Sequence, residues 1–301
     1  MRALIGVAAA STLVLAGCGA ADDPFAGTDD EADNAIVVGS ANHAENVLLG
    51  EIYAQALEGG GFDVIRKPNI GSREVLYQQV ESCEINVVPE YNGALLSYLD
   101  PEHTSNTTET VDAALKEALP SQLKVLDSSD AFDSNAIAVK SEVASELELE
   151  TLEDLVEPAS EMIAGGPPEW EPRADGLKGL EEQYGLKFKE FKVLGDVSGP
   201  ISVSALKQDD VDVVLMQSSS PQLTENDFVA LDDPLNVLGI NNIIPLVCEE
   251  ALDEEANEIL QEISNSMTTD ELIEMNKEYT IDKDDAADVA ERWLTASSII
   301  D

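Results

Sequence analysis

Short apolar runs alternate with longer segments in which apolar residues recur every three or four positions. The runs NAIVVGS (34–40), FDVIRKPNIG (62–71) and EINVVPEYNG (84–93) predict three strands. Between them, one predicted helix ends at the three glycines of 59–61, and the next begins after Ser72, whose hydroxyl suits an N-cap. This β-α-β-α-β order predicts a largely parallel sheet with helices on its faces.

The same pattern resumes in the second half of the chain. Further strands are predicted at NAIAVK (135–140), LKFKEFKVL (186–194), VDVVLMQ (211–217), FVALDDP (228–234) and NNIIPLVCEE (241–250). A helix is predicted between the second and third of these strands, and the end of the chain is helical. There, Thr268 and Glu271 form a capping-box pattern, and the periodicity predicts that Trp293 lies in the core.

Two α/β lobes follow from this repetition. The chain is predicted to pass between them near 130–135 and again near 235–242, at positions where the sequence has no long linker. Two short hinge strands are therefore expected to connect the lobes.

The N-terminus is predicted to be a targeting signal rather than a membrane span. Arg2 precedes a short apolar run that ends in Leu15-Ala16-Gly17-Cys18, which is too short for a permanent helix across a bilayer. Small residues directly before a cysteine resemble the bacterial lipobox, which implies cleavage after residue 17 and a lipid on Cys18. An ordinary signal peptide with an incidental cysteine is the alternative. Residues 18–34 are small and acidic and predict a flexible tether.

The charge of the chain excludes some partners. The sequence has 61 acidic and 16 basic residues, a formal net charge of −45, which argues against nucleic acid and anionic lipid surfaces. The surplus fits either a saline habitat or the solubility of an exported protein. Outside the cytosol, Cys83 and Cys248 suggest a disulfide, with two buried thiols as the alternative.

Motifs for catalysis are missing from the sequence. His43 and His103 are the only histidines, and neither belongs to a recognisable metal or nucleophile pattern. We therefore predict that the protein is not an enzyme and uses neither a metal nor a cofactor.

Several segments together resemble the glycine betaine/carnitine/choline substrate-binding proteins of osmoprotectant ABC importers. They include VVGSANHAENVLLGEIYAQALEGGGFDV, NIGSREVL, EINVVPEYNGALL, DSNAIAV and GGPPEWEPRADGLKGLEEQYG. The resemblance runs from about residue 35 to 295. It implies an α/β, two-lobed periplasmic-binding-protein fold of type II, with lobe 1 formed by 35–132 and 240–301 and lobe 2 by 133–239.

The resemblance also implies a role. The protein would be an extracytoplasmic lipoprotein, anchored to the cell membrane, that binds a small solute between its lobes and delivers it to an ABC permease driven by an ATPase. Family ligands carry a quaternary ammonium, which has no N–H to donate and is held by aromatic faces through cation–π attraction.

Carried over by motif, the resemblance assigns candidate ligand contacts. Tyr91 matches a cage tyrosine, Trp170 occupies an aromatic position, and Arg173 matches an arginine that can bind the ligand's carboxylate. Arg173 could instead form a structural salt bridge with Glu169, Glu171 or Asp175, and Tyr91 could belong to the core. The remaining candidates flank predicted strand ends and helix starts: Ser40, Asn42, Ser72 and Glu90.

Three positions depart from the family pattern. Asn135 stands where the family has a cage tyrosine, Gln217, which is followed by Ser218, stands where the family has an aromatic residue, and His43 replaces a phenylalanine. Amides offer hydrogen bonds that a trimethylammonium cannot use. The expected ligand is therefore a quaternary-ammonium osmoprotectant, with a more polar zwitterionic solute as the alternative.

Overall fold

The computed structural model describes residues 35–300. The predicted leader, Cys18 and the predicted tether lie outside the described residues. Within residues 35–300, every helix is too short or too polar to cross a membrane.

The described residues contain ten strands and twelve α-helices. The strands are β1 (Ile36–Gly39), β2 (Val64–Lys67), β3 (Val87–Tyr91), β4 (Leu123–Val125), β5 (Asn135–Lys140), β6 (Ile163–Gly166), β7 (Glu190–Val193), β8 (Val213–Gln217), β9 (Phe228–Ala230) and β10 (Ile243–Cys248). The helices are α1 (Ala44–Gly59), α2 (Arg73–Glu81), α3 (Asn92–Leu99), α4 (Thr108–Ala118), α5 (Ser141–Leu147), α6 (Leu152–Leu155), α7 (Leu177–Tyr184), α8 (Pro200–Lys207), α9 (Gln222–Glu225), α10 (Glu254–Ser266), α11 (Thr269–Lys277) and α12 (Ala286–Ala296). Three shorter helical turns lie at Pro158–Glu161, Pro168–Trp170 and Glu278–Asp282.

The strands form two five-stranded sheets with the same arrangement. The first has the order β2-β1-β3-β10-β4 and the second the order β7-β6-β8-β5-β9. In the first sheet, β1 pairs in parallel with β2 and β3, whereas β10 runs antiparallel to β3 and β4. In the second sheet, β6 is parallel to β7 and β8, and β5 is antiparallel to β8 and β9.

Each sheet has its own buried core. In the first lobe, Ile52 of α1 is fully buried and Trp293 of α12 is 7% exposed, as the periodicity of both helices predicts. The second lobe buries the apolar faces of β5, β6 and β8, with Leu155 of α6 fully enclosed. Two separate cores make each lobe a stable body and leave the space between the lobes for a ligand.

Two segments connect the lobes and pair with each other. The first leads from β4 to β5 and the second from β9 back to β10. Phe132 forms an antiparallel bridge with Asn242, and the Asp133 amide donates to the Asn241 carbonyl at 2.9 Å. The predicted pair of hinge strands is present, whereas the residue limits of the two lobes stay a prediction.

The sequence patterns did not predict two of the strands, β4 and β6. β4 has only three residues, and β6 (IAGG) carries two glycines, so neither shows a strong apolar pattern. Both exist because a neighbouring strand offers a row of backbone partners.

Local signals at helix ends are partly confirmed. Thr268 and Glu271 form the predicted capping box at the start of α11. Ser72 does stand at the N-cap position of α2, but its hydroxyl donates to Glu74 Oε2 at 2.5 Å instead of accepting from the helix backbone. The structure also joins Cys83 and Cys248 in a disulfide with a Cα–Cα distance of 5.7 Å.

Candidate functional site

A small cavity lies between the two lobes, where strand ends of both sheets meet. Its volume is about 110 Å³, which suits a solute of a few non-hydrogen atoms and not a large cofactor. The first lobe contributes the residues after β1, the start of α2 and the end of β3, and the second contributes the start of β5, the end of β8 and the loop after β6. Ligands of open α/β sheets bind at such strand ends.

Most of the sequence-predicted contacts line this cavity. They are Asn42, His43, Ser72, Glu90, Tyr91, Asn135, Arg173 and Gln217. Three predicted contacts do not line it, namely Ser40, Trp170 and Ser218.

The structure places Trp170 in the core instead of at the cavity. Its side chain is fully buried in the core of the second lobe, with its ring centroid 6.1 Å from that of Phe191. A Cβ built on Gly166 would lie 2.8 Å from Trp170 Cε3, and one on Gly176 would lie 2.9 Å from Cδ1. The indole therefore fits against two glycines that leave room for it, and it is not among the side chains that line the cavity.

Ser40 and Ser218 have structural hydrogen bonds instead of cavity positions. The Ser40 hydroxyl accepts from the Asn69 amide at 3.2 Å and orders the loop after β2. The Ser218 hydroxyl accepts from the Ser134 amide at 2.9 Å, beside the hinge. Both side chains organise the backbone around the cavity rather than line it.

Glu90 does line the cavity, but it already has a cationic partner that the sequence reasoning missed. Arg73 donates to both carboxylate oxygens, with Nε at 2.9 and 3.1 Å and Nη2 at 2.9 Å. The Arg73 and Glu90 side chains are 12% and 6% exposed. This bidentate ion pair is shielded from water. It is fixed in place because separating the two side chains would leave buried charges unpaired.

Arg173 pairs with a residue of the other lobe. Its Nε and Nη2 donate to Glu74 Oε1 at 3.0 and 2.8 Å. Neither Glu169, Glu171 nor Asp175, the partners considered from the sequence, holds it. Glu74 belongs to the first turn of α2, so this ion pair bridges the cleft.

The Tyr91 hydroxyl belongs to a buried network that also crosses between the lobes. It donates to Glu45 Oε1 at 2.6 Å, while the Ser219 hydroxyl and Asn276 Nδ2 each donate to Glu45 Oε2 at 2.5 Å. Burial, followed by the Glu45 charge, raises the pKa of Tyr91 well above its usual value. The tyrosine is therefore a neutral donor, with its ring beside the cavity.

Asp133 places a second carboxyl group next to this network. It lines the cavity, is 3% exposed, and accepts from Gln217 Nε2 at 2.8 Å and from the Ser219 amide at 2.9 Å. Burial and the neighbouring Glu45 charge raise the pKa of Asp133 well above its usual value. Asp133 opens the family-like segment DSNAIAV, but that segment does not reveal its partners, which come from the end of β8 and the residues after it.

The aromatic contribution to the cavity is small. The His43 and Tyr91 ring centroids are 5.9 Å apart, and these are the aromatic side chains of the cavity lining within residues 35–300. Burial, and then the charges of Arg73 and Arg173, lower the pKa of His43 to about 3, so the imidazole is neutral.

The two amide side chains that depart from the family pattern, Asn135 and Gln217, lie opposite each other. Asn135 opens β5 and Gln217 closes β8, and they are register partners in the antiparallel pair. The side-chain amide of Gln217 donates to Asp133, and its Nε2 lies 3.4 Å from His43 Nδ1. Within residues 35–300, the Asn135 side chain makes no hydrogen bond to another side chain or to the backbone and remains available in the cavity.

The arrangement of metal-ligating side chains can be judged within the described residues. No three His, Cys, Asp or Glu side chains converge there as a metal site. Two lobes, a paired hinge and a cavity between the lobes are the architecture of a solute-binding receptor.

Comparison with known proteins gives the family. Residues 34–296 match the family described as the substrate-binding domain of the ABC-type glycine betaine transport system. The chain is 27% identical over 285 residues to the glycine betaine-binding protein YehZ of Escherichia coli strain K12, covering 88% of this chain and 91% of that protein.

Solved structures share the fold. A glycine betaine/carnitine/choline ABC transporter structure aligns with a TM-score of 0.70 at 20% identity, covering 88% of this chain and all of that one. Lactococcal OpuAC, in its closed form with glycine betaine, aligns with a TM-score of 0.62 at 19% identity, covering 88% of this chain and 97% of that one. The predicted two-lobed α/β fold is confirmed.

The chain belongs to the family of substrate-binding domains of ABC-type glycine betaine transport systems. Members of this family are receptors of ABC transporters and not enzymes, as the sequence predicts.

Proposed function

We propose that this protein is the extracytoplasmic, lipid-anchored receptor of an ABC importer, and that it delivers one small zwitterionic solute of the glycine betaine type to the permease. The family match supports the transport role. The names of its relatives make glycine betaine the first ligand to test.

The observation that carries the proposal is the composition of the interlobe cavity. A cavity of about 110 Å³ is lined by Arg173, Tyr91 and Asp133. A zwitterion needs a donor fork for its carboxylate and a π-face or a carboxylate for its cation, and all are present.

Each lobe would contribute to both ends of the solute. The solute's carboxylate would accept from Arg173 of the second lobe and from Ser72 at the start of α2 in the first lobe. Its cationic end would face Tyr91, at about 0.5–2 kcal/mol for a good cation–π contact. Because the groups come from both lobes, binding would favour the closed arrangement.

A second candidate ligand is a zwitterion whose nitrogen carries hydrogens. The observation that favours it is the Asn135 amide, which faces the cavity where an aromatic side chain would serve a trimethylammonium better. A protonated amine could donate to Asn135 Oδ1 and add a donor to Asp133, whereas a quaternary ammonium would leave Asn135 Oδ1 without a donor.

Calorimetric titration of the refolded protein, from which any bound solute has been stripped, tests the proposal. We expect glycine betaine to bind at a ratio of one to one, and Tyr91→Leu to weaken binding about tenfold while Tyr91→Phe, which retains the ring, weakens it less. Choline, carnitine, proline betaine and unmethylated glycine complete the panel. Binding of glycine but not glycine betaine would select the second candidate, and silence from the whole panel would contradict the proposal.

The anchor is tested separately. In cells, Cys18→Ser is expected to move the protein from the membrane fraction to the soluble fraction, since the lipid would be lost. Retention of Cys18→Ser in the membrane would contradict a lipid on this residue. Permease delivery is tested by solute uptake in cells that carry the Tyr91→Leu receptor.

A further inference from the structure

The ion pairs beside the cavity differ in how well they are protected. The Arg73–Glu90 pair is made through both carboxylate oxygens and is shielded from water. The Arg173–Glu74 pair uses one carboxylate oxygen, and its side chains are 21% and 35% exposed. Exchange of a carboxylate is therefore far easier at Arg173 than at Arg73.

The Glu74 carboxylate engages two residues that line the cavity, Arg173 and Ser72. Its Oε1 accepts from both Nε and Nη2 of Arg173, and its Oε2 accepts from Ser72. Partial burial raises the pKa of Glu74, but the Ser72 hydrogen bond and the Arg173 charge outweigh it and leave that pKa below its usual value. Glu74 is thus an ionised group that engages both of the donors assigned above to the solute.

We propose that Glu74 is a specificity-determining residue, an internal counter-ion that closes the empty cleft through Arg173 and that a solute carboxylate must displace. This inference rests on the proposed function, since it assumes a solute with a carboxylate. The exchange replaces one carboxylate by another at the same guanidinium, so the charge of the site is conserved.

The consequence is selective for one chemical class. Glycine betaine, which carries a carboxylate, competes with Glu74, whereas choline, which carries the same cation and a hydroxyl, leaves the Arg173–Glu74 pair intact. Glu74 therefore weakens the binding of carboxylate-bearing solutes relative to the binding of solutes without a carboxylate.

The first test compares the two solutes on Glu74→Ala by calorimetry. Removal of Glu74 frees Arg173, so the ratio of the choline Kd to the glycine betaine Kd is expected to rise about fivefold, the size expected for a partly exposed ion pair. Glu81→Ala, an exposed position of the same helix, is the matched control and should leave the ratio unchanged. An equal ratio in Glu74→Ala and the wild type would overturn the proposal.

The second test needs no ligand. Small-angle scattering of the stripped protein should show a larger radius of gyration for Glu74→Ala than for the wild type or Glu81→Ala, by roughly 1 Å on a compact value of roughly 18 Å. An unchanged radius would overturn the role of Glu74 in closing the empty cleft. If neither solute binds the wild type, the proposed function fails, and the scattering result still decides for or against this interlobe contact.

Discussion

Trp170 gives the sharpest test of the structure, because the sequence and the tertiary fold assign it opposite roles. If it contacted the solute, Trp170→Ala would weaken binding and spare stability. In the structure the side chain is fully buried and packed against Gly166, Gly176 and Phe191. Truncating such a side chain removes its buried apolar area and leaves a cavity, which costs about 3–5 kcal/mol.

A matched variant sharpens this prediction. Within the described residues, the Trp170 Nε1 has no hydrogen-bond partner, so its N–H already lowers the stability of the wild type. Trp170→Phe keeps most of the ring, removes that N–H, and is expected to cost less than half as much as Trp170→Ala.

Thermal unfolding followed by circular dichroism measures the effect. With about 2–4 °C for each kcal/mol in a protein of this size, Trp170→Ala should lower Tm by about 10 °C. The solute affinity, measured well below Tm, should fall by less than tenfold. A Tm within 2 °C of the wild type, together with a tenfold or greater loss of affinity, would refute the assignment of Trp170 to the core.

Three further predictions concern stability. Reduction of the Cys83–Cys248 disulfide, which closes a loop of 165 residues, should cost about 2–5 kcal/mol; an unchanged urea midpoint in reductant would contradict this. His43 has a pKa of about 3 in the folded protein against about 6.5 unfolded, so the unfolded chain binds the extra proton and stability falls as pH drops from 6.5 towards 3. His43→Phe should lessen that fall, and an identical pH slope would count against a buried neutral imidazole. The pKa of Asp133 is raised in the folded protein, so the stability that the protonated carboxyl group contributes is lost as pH rises above about 3.9. Asp133→Asn should therefore stabilise the protein more at pH 7 than at pH 4. An equal effect at both pH values would argue against the raised pKa.

Much of the architecture could be predicted because it is written in local periodicity. The apolar runs that became β1, β3, β8 and β10 and the stripe of α1 lie within short windows, so the β-α alternation and the two lobes follow from the sequence. β4 and β6 could not be predicted this way, because their residues become strands only through pairing with a neighbour.

The candidate site was predictable in position but not in its contacts. The end of a predicted strand pointed to Glu90 and Tyr91, and the family motif pointed to Gln217; all three line the cavity. Two residues of the site, Arg73 and Asp133, were missed although they lie in the segments NIGSREVL and DSNAIAV that carry the family resemblance.

The sequence by itself determined the fold class, the family and the region of the cleft, because each depends on residue patterns that are close together in the chain. Only the tertiary structure decided which charges are fixed and which are exchangeable. Arg173 and Glu74 are 99 residues apart, and Asp133 and Gln217 are 84 apart. The first contact arises from the packing of one lobe against the other, and the second from the placement of the hinge beside the end of β8. The polarity of a residue does not reveal which distant partner will satisfy it.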